Sequence, residues 1–441
     1  TWKPVKTLSR NLNPRSSLGL ISSSGFIEGL AAGTIFITLP YSVEALPEGA
    51  AFSNWTGTER IGLLISAFGM AMFLGQLLAG QMARSVAPRR SLAVIGLTAC
   101  AVGTGGLILA ESFIHLVLLR TIQGFALALV IPTTASLLTA FSGSSSRGEA
   151  LGFFTAAKTL GLALGPLAGG VLINHFTETN LQAVYGLGAG AILLACVPFF
   201  FLTSPDPAVI PNEDPERQAP GPRSNQPSGN SPLFNPGLAL GAFTAASCAT
   251  TLPVFQNEFK SLLELDSNGI GIALSAMLLT RFLISWPVGR VADRVDEYRL
   301  IYAGLILLAG STFLLGLTSS FPALLLARII MGIGMALFSV PALRIVSNDP
   351  GSRDHTFRIS LLTAAFSCGV GVGPLLTGLG AAEFGFRMPF IAWSFLSLAT
   401  AGFIAARRRK TARSNAEDPP GKNSNQTNLP ESVTAGRETT D

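Results

Sequence analysis

The sequence predicts an all-α membrane protein: twelve transmembrane helices in two pseudo-symmetric six-helix bundles, with both termini cytoplasmic. Three observations lead there. The first is composition, since 49% of the 441 residues are hydrophobic, only 12% are charged and the mean hydropathy is +0.49, far from the balance of a soluble domain. The second is the set of apolar stretches long enough to cross a hydrocarbon core, which takes roughly 20 residues of helix. Twelve qualify, over residues 18–43, 61–83, 91–110, 114–140, 150–173, 183–203, 237–257, 268–292, 300–318, 322–346, 358–380 and 388–406. The third is the placement of positive charge. With alternate loops assigned to opposite sides, 23 Lys and Arg lie on one side and three, Arg60, Lys260 and Arg387, on the other. Positive residues mark the cytoplasmic side, so both termini are placed there.

The same placement argues against nucleic acid as a partner, despite a net charge of +5. The run Arg407, Arg408, Arg409, Lys410 directly follows the last span, where basic residues anchor a chain at anionic headgroups. No cleavable signal peptide is expected, because the first 17 residues are polar and basic and the first apolar stretch is long enough to span. Cys100, Cys196, Cys248 and Cys368 each fall alone in a different apolar stretch and read as small core residues, without zinc or disulfide spacing. Three scattered histidines make no metal or acid–base cluster. With no phosphate loop or nucleophile–base pairing either, the expectation is a protein that is not an enzyme and holds no cofactor.

Residues 1–17 form a cytoplasmic segment, 18–203 the first bundle, 204–236 a cytoplasmic linker, 237–406 the second bundle, and 407–441 a basic and then disordered tail. The linker reading rests on eight prolines and almost no large apolar residues within 204–232, a composition that cannot build a core. The two bundles repeat one another. "SFIHLVLLRTIQGFALAL" from Ser112 and "SFPALLLARIIMGIGMAL" from Ser320 match at Ser, Phe, Leu, Arg, Ile, Gly, Ala and Leu at an offset of 208. The same offset carries Gly161 to Gly369, Gly165 to Gly373, Pro166 to Pro374 and Gly170 to Gly378. Six spans return the chain to the side it started from, so the repeats are parallel, about an axis along the membrane normal.

Twelve spans, a polar linker after the sixth and parallel six-span halves resemble the major facilitator superfamily. The loop over residues 289–299, "GRVADRVDEYR", resembles that family's signature. Gly289 permits close approach, while Asp293 and Arg294 can form a charge cluster with a neighbouring helix terminus. By the resemblance, such a cluster latches the halves when the cytoplasmic side is closed. The first-half copy, "GQMARSVAPRR" over 80–90, departs from the pattern, with Arg84 where the family has its acid.

Arg120, Gln123 and Gly124 in the fourth span lie on nearly one face, which reads as a cavity wall. Arg120 is also near enough to the outer end to snorkel. The family motif matched by "RTIQGFA" implies a role for Arg120 in proton coupling or substrate contact. Arg328 and Gly332 repeat the arrangement without the glutamine. Glu28, flanked by Gly25, Gly29 and Gly33, lies about ten residues, or some 15 Å, from the inner end of the first span. An acid there is a functional candidate, able to take a proton from one side and release it to the other. The alternative is a permanent ion pair with Lys158 or Arg120 that holds helices together. Lys158 and Arg281 are the remaining candidates for a cavity that favours anionic or amphiphilic solutes.

Gly161, Gly165, Pro166, Gly169 and Gly170 resemble the fifth-helix antiporter motif of the superfamily's drug:proton exporters. Glycines at four-residue spacing make a smooth strip for close helix contact in lipid, and the proline bends the helix. The resemblance implies a proton-driven exporter working by alternating access, with Glu28 titrating, Arg120 modulating it, and Arg120, Gln123, Lys158 and Arg281 around the solute. The two glycine-proline helices, the second carrying Gly369, Gly373 and Pro374, are expected to be sliding surfaces between halves. The expected partners are a drug-like or amphiphilic solute, protons and lipids, for a monomer in a cell membrane, by its general character a bacterial inner membrane. An uptake carrier or facilitator for an anionic metabolite and a non-transporting sensor or scaffold of the same fold are the alternatives.

Overall fold

The computed structural model describes residues 14–47, 49–82, 89–142, 147–176, 181–202, 236–347 and 355–417. The linker and most of the tail, with Arg84 in the first-half loop, lie outside the described residues. The first half contains α1 (Pro14–Ala45), α2 (Gly57–Met82), α3 (Arg89–Gly106), α4 (Phe113–Phe141), α5 (Arg147–Phe176) and α6 (Leu181–Phe201). The second contains α7 (Pro236–Ala249), α8 (Thr251–Val254), α9 (Gln256–Leu262), α10 (Ser267–Val291), α11 (Glu297–Leu317), α12 (Phe321–Ser347), α13 (His355–Phe384) and α14 (Met388–Glu417). Twelve helices are long and apolar enough to cross a membrane, with α7 and α8 sharing one span over Pro236–Val254. The face where α1 begins is called the terminal face below, and the other the distal face.

Within the first half, α1 packs on α5 and α6, α4 on α2 and α3, and α3 on α6. In the second, α12 packs on α10 and α11, and α13 on α7. The halves meet mainly through two pairs, α5 with α10 and α2 with α13. The end of α14 beyond Ala401 forms a small unit of its own, in which the Arg407 guanidinium lies 5.6 Å from the Phe403 ring centre.

Glycine dictates how near α1 and α5 come. A Cβ on Gly165 would lie 2.5 Å from the Cα of Gly33, one on Gly33 would lie 2.7 Å from the Leu162 carbonyl, and one on Gly29 would strike the Lys158 carbonyl. The strip of Gly161, Gly165 and Gly169 therefore faces α1 of its own half. Gly369 and Gly373 likewise face Phe243 and Ser247 of α7.

The contact between halves uses the adjoining faces of the same two helices. A Cβ on Gly170 would lie 2.6 Å from the Ser267 carbonyl, and one on Gly271 would lie 2.5 Å from the Pro166 carbonyl. Gly378 presses in the same way on Thr58 and Glu59, and Gly62 on Pro374. The amide after each proline turns outward. Leu167 N donates to Ser275 Oγ at 3.1 Å, and Leu375 N donates to Ser66 Oγ at 2.9 Å. One joint is thus built twice, related by the internal repeat.

Two outcomes follow for stability, both read by thermal unfolding of purified protein. Ser66→Ala or Ser275→Ala leaves a part-buried amide without its acceptor and is expected to cost about 1–3 kcal/mol. Gly165→Val wedges α1 from α5 and is expected to cost at least as much, whereas Gly190→Ala, with open space beside it, is expected to change little.

Candidate functional site

The glycine contact between α1 and α5 puts two charges together. Lys158 Nζ lies 2.7 Å from Glu28 Oε2, with the Glu28 side chain 5% exposed and that of Lys158 26%. Of the two partners open to Glu28 in the sequence, the structure selects Lys158. Gly29 makes this possible, because a side chain there would occupy the backbone of α5 beside Lys158. Removing either charge alone leaves the other buried and unpaired, a situation that costs several kcal/mol in proteins. The pair is also asymmetric, since only the lysine has appreciable access to open space.

Arg120 sits apart from that pair. Its Nη1 donates to Gln123 Oε1 at 2.6 Å, its guanidinium lies 4.4 Å from the Phe68 ring centre, and Gln123 Nε2 donates to Thr104 Oγ1 at 3.1 Å. Arg120 and Gln123 are both buried, at 6% and 1% exposure. The gap expected at Gly124 is filled by α2, with Ala71 Cβ 2.8 Å from where a Cβ would stand. The arrangement read as a cavity wall is in this state a closed polar knot joining α2, α3 and α4. Burial leaves one loose end, Arg120 Nε, without a hydrogen-bond partner.

Arg281 does reach the interior. It stands nine positions, or two and a half turns at 3.6 residues each, from both Ile272 and Arg290, which are exposed on the outer side of α10. Its guanidinium lies 5.9 Å from the Phe366 ring centre on α13. Next to Phe366, Ser367 Oγ donates to Gln76 Oε1 of the opposite half at 3.1 Å. Among the described residues Arg281 has no carboxylate partner.

Arg328, the repeat of Arg120, is 1% exposed and has become a brace for backbone. Its Nε donates to the Ala273 carbonyl at 3.2 Å and its Nη1 to the Ala249 carbonyl at 3.5 Å. Ala249 is the last residue of α7, so the cation satisfies a carbonyl at the break before α8. Repetition of an arginine in a sequence marks its position, but the broken helix it serves has no comparable signal.

In this state the loop over 289–299 makes its ion pairs within the second half. Asp293 Oδ1 lies 2.6 Å from Arg344 Nη1 at the end of α12, and Glu297 Oε1 lies 3.6 Å from Arg344 Nε. The cluster with a neighbouring helix terminus therefore forms, but its partner belongs to the second half, and Arg294 is exposed with no ion pair among the described residues. Gly289 has open space beside it instead of a close neighbour. In the first-half copy, Arg90 donates to the Leu202 and Phe200 carbonyls at 2.7 and 2.9 Å, closing the end of α6.

The distal face is held shut by polar contacts that sequence reasoning did not find. Tyr41 Oη and Ser267 Oγ are 2.9 Å apart, Asn174 Nδ2 donates to Asp266 Oδ2 at 2.9 Å, and Gln256 Nε2 donates to the Ile37 carbonyl at 2.9 Å. Asp266 also caps α10 by accepting from Gly269 N at 2.8 Å, and that amide holds its carboxyl below the usual carboxylate range. All three contacts join the two halves, at helix ends on the face opposite the termini.

The comparisons with known proteins decide the family. A profile described as the Major Facilitator Superfamily matches residues 21–262 and 237–433. The chain belongs to this superfamily. A multi-drug resistance efflux pump PmrA homolog of Lactococcus lactis is 24% identical over 408 residues, covering 88% of this chain and 96% of that protein. A triacylglyceride transporter of Mycolicibacterium smegmatis is 25% identical over 360 residues, covering 66% of this chain and 63% of that protein. Among solved structures, a bacterial homolog of the human lysosomal transporter Spinster, inward-facing and unoccupied, superposes with a TM-score of 0.70 at 16% identity, over 91% of this chain and 98% of that one. The superfamily fold and a multi-pass membrane protein follow.

The ion pair yields a test that needs no substrate. In a double-mutant cycle by thermal unfolding, Lys158→Met is expected to cost about 3–5 kcal/mol by stranding Glu28. The combined Glu28→Gln, Lys158→Met variant is expected to recover part of that loss.

Proposed function

We propose that the protein is a secondary active transporter that exports drug-like or amphiphilic small molecules in exchange for protons, by alternating access. The observation that carries this reading is the buried pair of Glu28 and Lys158, an acid held in the middle of the first span by a cation with access to the interior. A solute bearing a positive or polar end competes with Lys158 for the Glu28 carboxylate, and a proton on Glu28 displaces both. Proton and solute then exclude one another at one group, which is the requirement for exchange. The terminal face, rich in Lys and Arg in the sequence, is taken as cytoplasmic. On that assignment the structure describes a state closed to the outside. The relative named as an efflux pump, aligned over nearly its full length, supports export, and a bacterial inner membrane is the setting proposed. No cofactor is needed, because the proton gradient supplies the energy.

One observation favours a second reading. Protonating Glu28 also frees Lys158, and Arg281 already lacks a carboxylate partner among the described residues. Two cations opposite one another would receive an anionic solute together with the proton, which is the chemistry of an uptake carrier. The two readings share inward proton movement and predict opposite directions of solute movement.

Both are tested in proteoliposomes with an imposed pH gradient and a solute chosen by thermal-shift screening. Export driven by protons entering from the distal side, lost in Glu28→Gln while downhill solute flux persists, is the expected result. Coupling by Glu28→Gln as tight as in the parent overturns the assignment of Glu28. Proton and solute moving in the same direction decides for the second reading.

A further inference from the structure

The short helix α9, "QNEFKSL", has two faces with different loyalties. Phe259, with Phe255 before it, stacks inside the second half, with ring centres 5.6 and 4.9 Å from that of Phe386 and 6.1 and 5.0 Å from that of Phe390. The residues between and beside them all reach into the first half. Gln256 donates to the Ile37 carbonyl, Asn257 Nδ2 donates to Glu44 Oε1 at 2.6 Å, Glu258 Oε1 accepts from the Thr58 hydroxyl, and Lys260 Nζ lies 4.7 Å from the Tyr41 ring centre. A segment anchored by aromatic rings in one half, and tied to the other by three consecutive hydrogen-bonding positions and a lysine over a ring, acts as a clasp. Opening the distal face must break all of these contacts.

Glu258 is the member whose charge matters. One carboxylate oxygen receives the Thr58 hydroxyl, and the other, Oε2, is buried with no hydrogen-bond partner. An ionised carboxylate is poorly served by such a site. The surrounding charges do not neutralise it. Glu44 on α1 is held by Asn257 and is itself an acid; Glu59 on α2 accepts from the Thr56 amide and hydroxyl; Lys260 lies against Tyr41; and Asp266 is engaged with Gly269 and Asn174. Arg60, one turn into α2, is buried. A recess of about 540 Å³, lined by Glu44, Asn257, Glu258, Ser261, Leu262 and Phe386, gives this group a route to water on the distal side.

We propose that α9 is the distal gate and that Glu258 is a second proton-binding group, protonated when the gate closes and ionised when it opens. The proposal rests on the reading of the chain as an alternating-access transporter. Burial pushes the Glu258 carboxyl above the usual carboxylate range; the Thr58 hydroxyl pulls it partly back, and Glu44 pushes it up again. In the open gate the group is hydrated and returns towards its ordinary value. The closed state therefore binds the proton more tightly, so protonation favours closure. As pH rises through the raised closed-state value, that contribution is lost and the open state gains. Acid on the distal side thus closes the gate, and each closure carries one proton inward from that side to a group remote from Glu28.

The test reads gate position without solute, gradient or flux. Spin labels are placed at Glu111→Cys and Ser319→Cys, exposed loop tips at equivalent places in the two halves, in a chain whose half-buried Cys368 is replaced by serine; the other cysteines are buried. The distance between labels is expected to be short at low pH and to lengthen with a single midpoint as pH rises. Glu258→Gln is expected to remain short throughout, and Glu44→Gln to move the midpoint to lower pH. Glu258→Gln opening with the parent midpoint, or a parent whose distance ignores pH, overturns the proposal. Glu28→Gln is expected to keep the distal transition. If the transition persists while no solute is moved by any variant, the gate stands and the transport reading fails.

Discussion

Two helices in a lipid phase gain little from covering apolar side chains that lipid would cover equally well. What holds α1 against α5 is the removal of side chains, so that backbone meets backbone along Gly29 and Gly33 on one side and Gly161, Gly165 and Gly169 on the other. The rest of the site depends on that approach. Helices this close bring Lys158 to 2.7 Å from Glu28, and pairing offsets the cost of burying an acid in a span. The strip is therefore a rigid element that mounts the ion pair on α5.

The other face of α5 meets the second half, and here proline does the work. A proline breaks the regular hydrogen-bond ladder of a helix, and in both copies the neighbouring amide finds its acceptor on the opposite half, at Ser275 and at Ser66. Glycines at 62 and 271 let the proline carbonyls sit against the facing helix. Such a joint has few side chains to disengage, which suits a contact that must be made and released in each cycle. Since α5 carries Lys158 on the side of its own half and the joint on the other, a change of charge at Glu28 and a change of contact between halves act on the same helix.

Much of this was legible in the sequence, because twelve apolar stretches and an offset of 208 between repeated motifs require only one-dimensional counting. The partners of those motifs were not. Gly62 and Ser66 repeat as Gly271 and Ser275 at an offset of 209, one residue out of step with Gly165 and Gly373, and two single-residue matches carry no signal until the facing helices are known. Facing also explains the other differences. Arg120 and Arg328 share a repeat position, yet one is tied to Gln123 and the other to the carbonyl that ends α7, because the break before α8 has no counterpart in α1. Asp293 met a helix terminus as its spacing implied, but which half supplied the partner depends on packing. The clasp at α9 was missed because "QNEFK" reads as an ordinary polar loop, and its function resides in what stands opposite.

Two acids with contrasting surroundings then lie at different depths. Glu28 is ion-paired with Lys158, whereas Glu258 has an acid for a neighbour and one oxygen with no hydrogen-bond partner. On the proposed reading, the first responds to whatever competes for Lys158, and the second to the closing of the face it guards. On the same reading, a proton from the distal side reaches Glu28 while the gate is open, and a proton on Glu258 then favours closure behind it. In that order closure follows loading, since the state that holds the proton on Glu258 is the state that shuts the distal route to Glu28. Coupling then depends less on the affinity of either acid than on the contacts through α9 and the two proline joints that make closure a single event.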